Sequence, residues 1–168
     1  MTELEAFRAE KDRFFASHPQ SPLTPEQKRN FRGLDYFPEN PALRFEAVVE
    51  EFPNKEQIVM QTSTGDTQTY VRYGKFRFSV DGQEAELTIY ASHHGFFLPF
   101  VDSLAGKETY AAGRYLDPEV QPNGGFLIDF NRAYDPHCAY NDLWSCPLTP
   151  FENRLKVAIR AGEKMFHT

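Results

Sequence analysis

The stretch Asp129–Asn153 gathers the side chains best suited to chemistry: Asp129, Asn131, His137, Cys138, Asn141, Cys146 and Asn153. A nucleophilic Cys138 would need a base and an orienting group, such as His137 with Asp129 or Asn131. Neighbours on an extended chain point to opposite faces, which sets His137 poorly against the adjacent thiol. Asp102 and Asp129 each end a hydrophobic segment, where a partly buried acid can serve as general acid or base. The catalytic candidates are therefore Asp129, His137 and Cys138, in a hydrolase-type reaction. The competing reading is architectural: Asp-x-Asn-x-x-Tyr ties down a turn through side-chain hydrogen bonds to the backbone, and Arg114 pairs with either acid.

Cys138 and Cys146 stand eight positions apart, which is neither a zinc knuckle nor a redox C-x-x-C pair. Two small buried thiols are the plainer reading, since free Cys is among the most buried residue types. A zinc or iron site would draw on Cys138, Cys146, His137 and one of His93 or His94. His93-His94-Gly95 otherwise reads as an exposed hairpin turn. Asn123-Gly124-Gly125 is neither a P-loop nor a dinucleotide fingerprint.

The elements that must position these groups start with a helix over residues 1–17, where Thr2 and Glu5 make a capping-box pattern and Leu4, Phe7, Phe14 and Phe15 share a broad face. His18-Pro19 ends it. A second helix starts at Thr24-Pro25 with Gln27 three residues on, and Gly33 closes it. From Leu43 onward the pattern is β-like: Arg44–Glu51, Gln57–Thr62, Thr67–Tyr73, Lys75–Val80, Glu84–Ala91, Phe96–Val101, Thr109–Leu116 and Phe126–Phe130. Lys75–Val80 alternates cleanly, and Asp81-Gly82 is a hairpin signal. At the C-terminus, a helical turn at 150–153 leads into a strand to about residue 160, because Leu155, Val157 and Ile159 alternate with polar positions; a continuous helix is the alternative.

These elements predict a mainly β fold (all-β or α+β), an antiparallel barrel or sandwich of about eight or nine short strands with one or two N-terminal helices. Residues 1–168 read as a single domain: a helical segment over 1–33, a β core over 43–130, a long ordered loop over 131–153 and a strand over 154–163. An aromatic loop longer than about 12–15 residues is usually functional.

The 16 Phe, 8 Tyr and one Trp favour pleated, half-buried surfaces. With 24 acidic and 18 basic residues the net charge is −6, which offers no electrostatic footprint for nucleic acid. The longest apolar run, Phe96–Val101, falls far short of the roughly 20 residues of a membrane helix. Glu3, Glu5 and Arg8 open the chain where a signal peptide would be basic and then apolar. A cytoplasmic protein with two thiols is the expectation.

The run Asp129-Phe-Asn-Arg-Ala-Tyr-Asp-Pro-His-Cys-Ala-Tyr140, with Cys146-Pro-Leu-Thr-Pro150, Glu152-Asn-Arg-Leu155 and Ala161-Gly-Glu163, resembles a prokaryotic domain family of unknown function. Phe100-Val-Asp102, Gly106, Glu108-Thr-Tyr110 and Gly113-Arg-Tyr-Leu116 extend the resemblance over most of the chain. That family tends to have Asn where this chain has Asp135. The resemblance implies a cytosolic single domain and transfers no catalytic residue.

The leading functional expectation is a small-molecule-binding β-barrel whose pocket borders the 129–153 loop. Arg114 and Asn131 with Tyr134, Tyr140 and Trp144 would suit a planar or anionic ligand, and Asp102, Asp129, Asn141, Cys138 and Cys146 complete the polar set. A flavin is one such ligand, though no residue singles it out, so the cofactor stays unassigned. The alternatives are the hydrolase above and a protein-interaction module that uses the loop as its recognition surface.

Overall fold

The computed structural model describes residues 1–166. Helix α1 (Glu3–Ser17) begins where the Thr2 hydroxyl accepts the Glu5 N–H at 3.1 Å. Helix α2 (Pro25–Asn30) carries a full capping box between Thr24 and Gln27. It ends at Phe31, before the expected Gly33. Of the four expected apolar positions on α1, Leu4 and Phe15 are buried while Phe14 is exposed.

Nine strands follow: β1 (Arg44–Ala47), β2 (Glu50–Glu51), β3 (Gln57–Gln61), β4 (Thr67–Val80), β5 (Gln83–Ser92), β6 (Gly95–Phe100), β7 (Arg114–Leu116), β8 (Glu119–Val120) and β9 (Phe126–Asp129). They form two antiparallel sheets, ordered β1-β9-β8 and β2-β4-β5-β6-β7, with β3 also paired to β4. The arrangement is sandwich-like, and among the described residues no closed barrel forms.

Two expected strand boundaries move for identifiable reasons. The single strand expected over Arg44–Glu51 is two, because the chain changes sheet at Val48–Val49. It passes so close to Gly74 that an added Cβ there would meet the Glu50 carbonyl at 2.7 Å. The two strands expected either side of Gly74 are one long β4, with a register shift between Arg72 and Gly74. The Asp81-Gly82 turn is the expected tight hairpin: both residues have positive φ and Val80 faces Gln83.

Only Arg114–Leu116 of the expected strand 109–116 is regular. The expected strand over 154–163 is absent as a ladder. This segment runs extended, with single bridges at Arg154 and Glu163. Its alternation is nevertheless observed, since Val157 and Ile159 are buried and Lys156 and Arg160 exposed. Amphipathic alternation records which side faces the core, but a ladder also needs a free strand edge alongside.

Phe76, Phe78 and Val80 of β4, Leu87 and Ile89 of β5, Phe126 and Ile128 of β9, and Phe130 fill the space between the sheets, with Val157, Ile159 and Ala161 closing it. A second, smaller core joins Phe15, Leu23 and Leu34 to Tyr140, which fastens the helices onto the 130–153 loop. Among the described residues no helix is long and apolar enough to cross a membrane.

Candidate functional site

The loop after β9 does not close around one pocket; it borders three. Asp129, Asn131, Arg132 and Tyr134 line a groove of about 610 Å³ beneath the first turns of α1. Tyr134, Asp135 and His137 line an adjoining cleft of about 380 Å³ under the middle of α1, and Phe7 and Tyr134 belong to both. Cys138 to Asp142 line a third recess of about 400 Å³ with Tyr110, Thr24 and Gln27.

The groove has an apolar floor of Leu4, Phe7, Leu116, Leu127 and Tyr134 and a rim of charge. Five acids line it: Glu3, Glu39, Asp117, Glu119 and Asp129. Its two arginines, Arg44 and Arg132, both turn to Asp129, at 3.6 and 3.7 Å. Asp129 also accepts the backbone and side-chain N–H groups of Asn131, each at 3.0 Å, so it caps the turn that follows β9. Tyr134 donates its hydroxyl to Asp117 at 2.8 Å. Burial pushes the Asp117 carboxyl above its ordinary range, against the pull of Tyr134 and Lys11. Arg8 approaches from behind, its guanidinium 4.5 Å above the Tyr36 ring.

Beneath the second cleft lies a buried acid pair. Glu163 accepts the Asp135 backbone N–H at 3.1 Å and the Tyr140 hydroxyl at 2.5 Å, and it pairs with Lys11 from α1. Gly162, at φ +81°, packs against Ala133 so closely that a Cβ would sit 2.8 Å from it, and this turn delivers Glu163 to its place. Both carboxyl oxygens of Asp135 are buried without a hydrogen-bond partner among the described residues. Burial, then the neighbouring Glu163, holds this carboxyl well above the usual range; Arg114 and Lys11 oppose the shift. His137 is shifted the other way by burial and by Lys11, which favours the neutral ring.

In the third recess Cys138 and Cys146 are free thiols in contact. The Cys138 N–H donates to Cys146 Sγ at 3.3 Å, and the Tyr110 hydroxyl lies 3.6 Å from Cys138 Sγ. The Cys146 thiol, together with the Tyr110 hydroxyl, draws the Cys138 pKa down to about 6 against the effect of burial. Cys146 is pushed up as the donor of that bond.

Other candidates prove to hold the fold together. Arg114, 1% exposed, donates to the Ala161, Ile159 and Glu163 carbonyls at 2.5, 2.8 and 3.2 Å and lies 3.5 Å from Asp102. Asp102 accepts the Ile159 N–H at 2.7 Å and the Thr109 hydroxyl at 3.2 Å. Asn131 holds the Asn40 backbone through both ends of its amide. Asn141 caps the Leu143 N–H, and the Trp144 indole donates to the Pro22 carbonyl.

The three catalytic candidates line different recesses, although His137 and Cys138 are adjacent in the chain. Asp129 lies in the groove, His137 in the cleft with its ring against Trp144, and Cys138 in the recess. Among the described residues no three His, Cys, Asp or Glu converge as metal ligands. His93 and His94 lie in the β5–β6 turn, remote in sequence and element from the thiols. Sequence reasoning passed over Asp117 and Lys11, which reach these surfaces from distant elements, and Tyr110 entered only as part of a family motif. Glu163 entered only as part of a family motif, and Asp135 only as a turn position.

The search of curated proteins gave no match. An uncharacterised protein of Haloarcula marismortui, solved by solution NMR, is 39% identical, with 96% of this chain and 92% of that chain covered and a TM-score of 0.71. Residues 29–164 match the model of the family described as protein of unknown function, DUF1684. The matched span takes in all nine strands, the whole 129–153 loop and Glu163, and so the chain belongs to the DUF1684 family.

Proposed function

We propose that this domain binds a small organic amine with an apolar body in the groove between α1 and the residues that follow β9. The supporting observation is the charge imbalance of the groove. Its two arginines are engaged by Asp129, while Asp117, Glu3, Glu39 and Glu119 face an apolar floor with no ion-pair partner among the described residues. Its volume of about 610 Å³ falls within the range of small-molecule sites, roughly 300–1,000 Å³. Tyr134 fixes one oxygen of Asp117, which leaves the other for an ammonium group, while Phe7 and Leu127 cover the hydrocarbon part. This replaces the planar or anionic ligand expected from Arg114, because that guanidinium is buried among backbone carbonyls.

Phenethylamine and its neutral shape-mate phenethyl alcohol provide the test. The amine should shift the Phe7, Leu127 and Tyr134 resonances in two-dimensional NMR, and it should bind about tenfold more tightly than the alcohol. Asp117→Asn should remove that preference. Equal binding of amine and alcohol, or an unchanged preference in the variant, would sink the reading.

A further inference from the structure

The recess beside Cys138 is a second site, unconnected with the groove. Its two sulfurs come from opposite ends of one excursion of the loop, a 3-10 turn at His137–Ala139 and the run into Pro147. The excursion is fastened to the body at several points. The Ser63 hydroxyl accepts the Cys146 N–H at 3.1 Å and donates to the Trp144 carbonyl at 3.0 Å. The Ser63 N–H donates to the Cys146 carbonyl at 2.9 Å. The Cys146 end is therefore held by contacts that do not depend on its sulfur, and the Cys138 N–H meets that sulfur at 3.3 Å. Each cysteine is only 7% exposed, yet Cys138 opens onto the recess of about 400 Å³. Thr24, Gln27, Tyr110, Asn141 and Asp142 line the rest of it. That wall is polar and carries no lysine or arginine, so it favours a small neutral oxidant over an anionic disulfide.

We propose that Cys138 and Cys146 form a redox dithiol that reduces small hydroperoxides, with Cys138 as the attacking sulfur and Cys146 as the resolving thiol. The Cys138 thiolate places an electron pair on the terminal peroxide oxygen. An S–O bond forms as the O–O bond breaks, which leaves Cys138 as a sulfenic acid. The departing alkoxide takes up the proton that Cys138 lost on ionising and leaves as an alcohol, or as water when the peroxide is hydrogen peroxide. The Tyr110 hydroxyl, 3.6 Å from the sulfur, is placed to hydrogen-bond to the departing oxygen. The Cys146 sulfur then attacks the sulfenic sulfur, the S–S bond forms, and the hydroxyl leaves as water with the Cys146 proton. One hydroperoxide is reduced, two thiols become a disulfide, and a small dithiol reductant restores them by exchange. The lowered Cys138 pKa keeps the attacking form populated at neutral pH.

Hydrogen peroxide and intact-mass spectrometry test this on the whole chain. The wild type should lose two hydrogens, digestion should yield one peptide pair joined through Cys138 and Cys146, and dithiothreitol should reverse the change. Cys146→Ser should stop at a sulfenic acid on Cys138 that dimedone captures. Cys138→Ser should react about tenfold or more slowly. Iodoacetamide labelling of Cys138 should follow a pH profile with its midpoint near 6 in the wild type, and Tyr110→Phe should move that midpoint upward. Two alkylatable thiols surviving a peroxide excess in the folded wild type would overturn the proposal. So would Cys146 oxidising first, or a joined pair that involves no Cys138. The wild-type mass and peptide measurements decide the matter without any variant having to fold.

Discussion

Two buried polar clusters lie a short distance apart in this molecule and differ in one respect. Around Arg114, Asp102 and Asn153 the described polar atoms meet partners: Arg114 reaches three carbonyls and a carboxylate, and the Asn153 amide makes bonds of 2.9, 2.8 and 2.8 Å. Around Asp135, Glu163 and Lys11 the accounting stops short, because neither oxygen of Asp135 has a hydrogen-bond partner among the described residues. A buried group left unsatisfied costs roughly 1–3 kcal/mol. The difference separates polar residues that complete the fold from one that weakens it, although all of them look equally chemical in the sequence.

Removing members of the closed cluster should give the largest effects. Arg114→Ala should destabilise the chain by about 3–5 kcal/mol in urea unfolding, since it leaves Asp102 buried without its cation. A loss below about 1 kcal/mol would mean that water or relaxation completes the cluster, and the contrast would fail. Asn153→Ala should follow at about 3 kcal/mol, because the Thr88 N–H and the carbonyls of Thr88 and Pro99 lose their partner. Asn153→Asp should be no better, since a carboxylate can accept from Thr88 but cannot donate to the two carbonyls.

The open cluster should respond with the opposite sign. Asp135 has a raised pKa in the fold, so its contribution is complete below the unfolded value of about 3.9 and is lost as pH rises through the folded value. The stability that Asp135 contributes should therefore decline as pH rises above about 4. Asp135→Asn should flatten that decline and raise stability at neutral pH. A parallel pair of stability–pH curves for wild type and variant would show that Asp135 finds a partner in solution. The smallest effect belongs to Asp129→Asn. The amide keeps an acceptor for the Asn131 N–H and gives up only two partly exposed arginine contacts, so the cost should stay under about 1 kcal/mol in thermal unfolding.

The sequence carried the β-rich class, the helix starts and the hairpin at Asp81-Gly82, because caps, alternation and turn chemistry act over a few residues. It did not carry the splitting of Arg44–Glu51 between sheets, which depends on the close approach of Gly74 from a later strand. Nor did it carry the failure of 154–163 to make a ladder, since that depends on which edges are free. The loop 129–153 was legible as a concentration of polar groups, but not as three separate surfaces. Tyr134 meets Asp117, Cys138 meets Tyr110 and Tyr140 meets Glu163 only after the chain has turned back across itself. Local spacing holds no trace of such pairs. The Asp-x-Asn reading of a tied turn, by contrast, is observed in the bonds from Asn131 to Asp129.

The Asn153 amide has a consequence for the order in which the molecule assembles. Continuing the β5–β6 register puts Thr88 opposite Pro99, where the imide nitrogen has no hydrogen to give. The hairpin can therefore close near its turn by local search, but its open end holds unmatched amides until a residue 54 positions beyond Pro99 arrives to fill the gap. Arg114 likewise waits for Ile159 and Ala161, and Asp135 and Tyr140 wait for Glu163. The segment 153–163 thus acts as the closing stitch of the chain. Contacts at this sequence separation delay folding, so the native state should form as one late cooperative event that a nascent chain cannot reach before Glu163 is available.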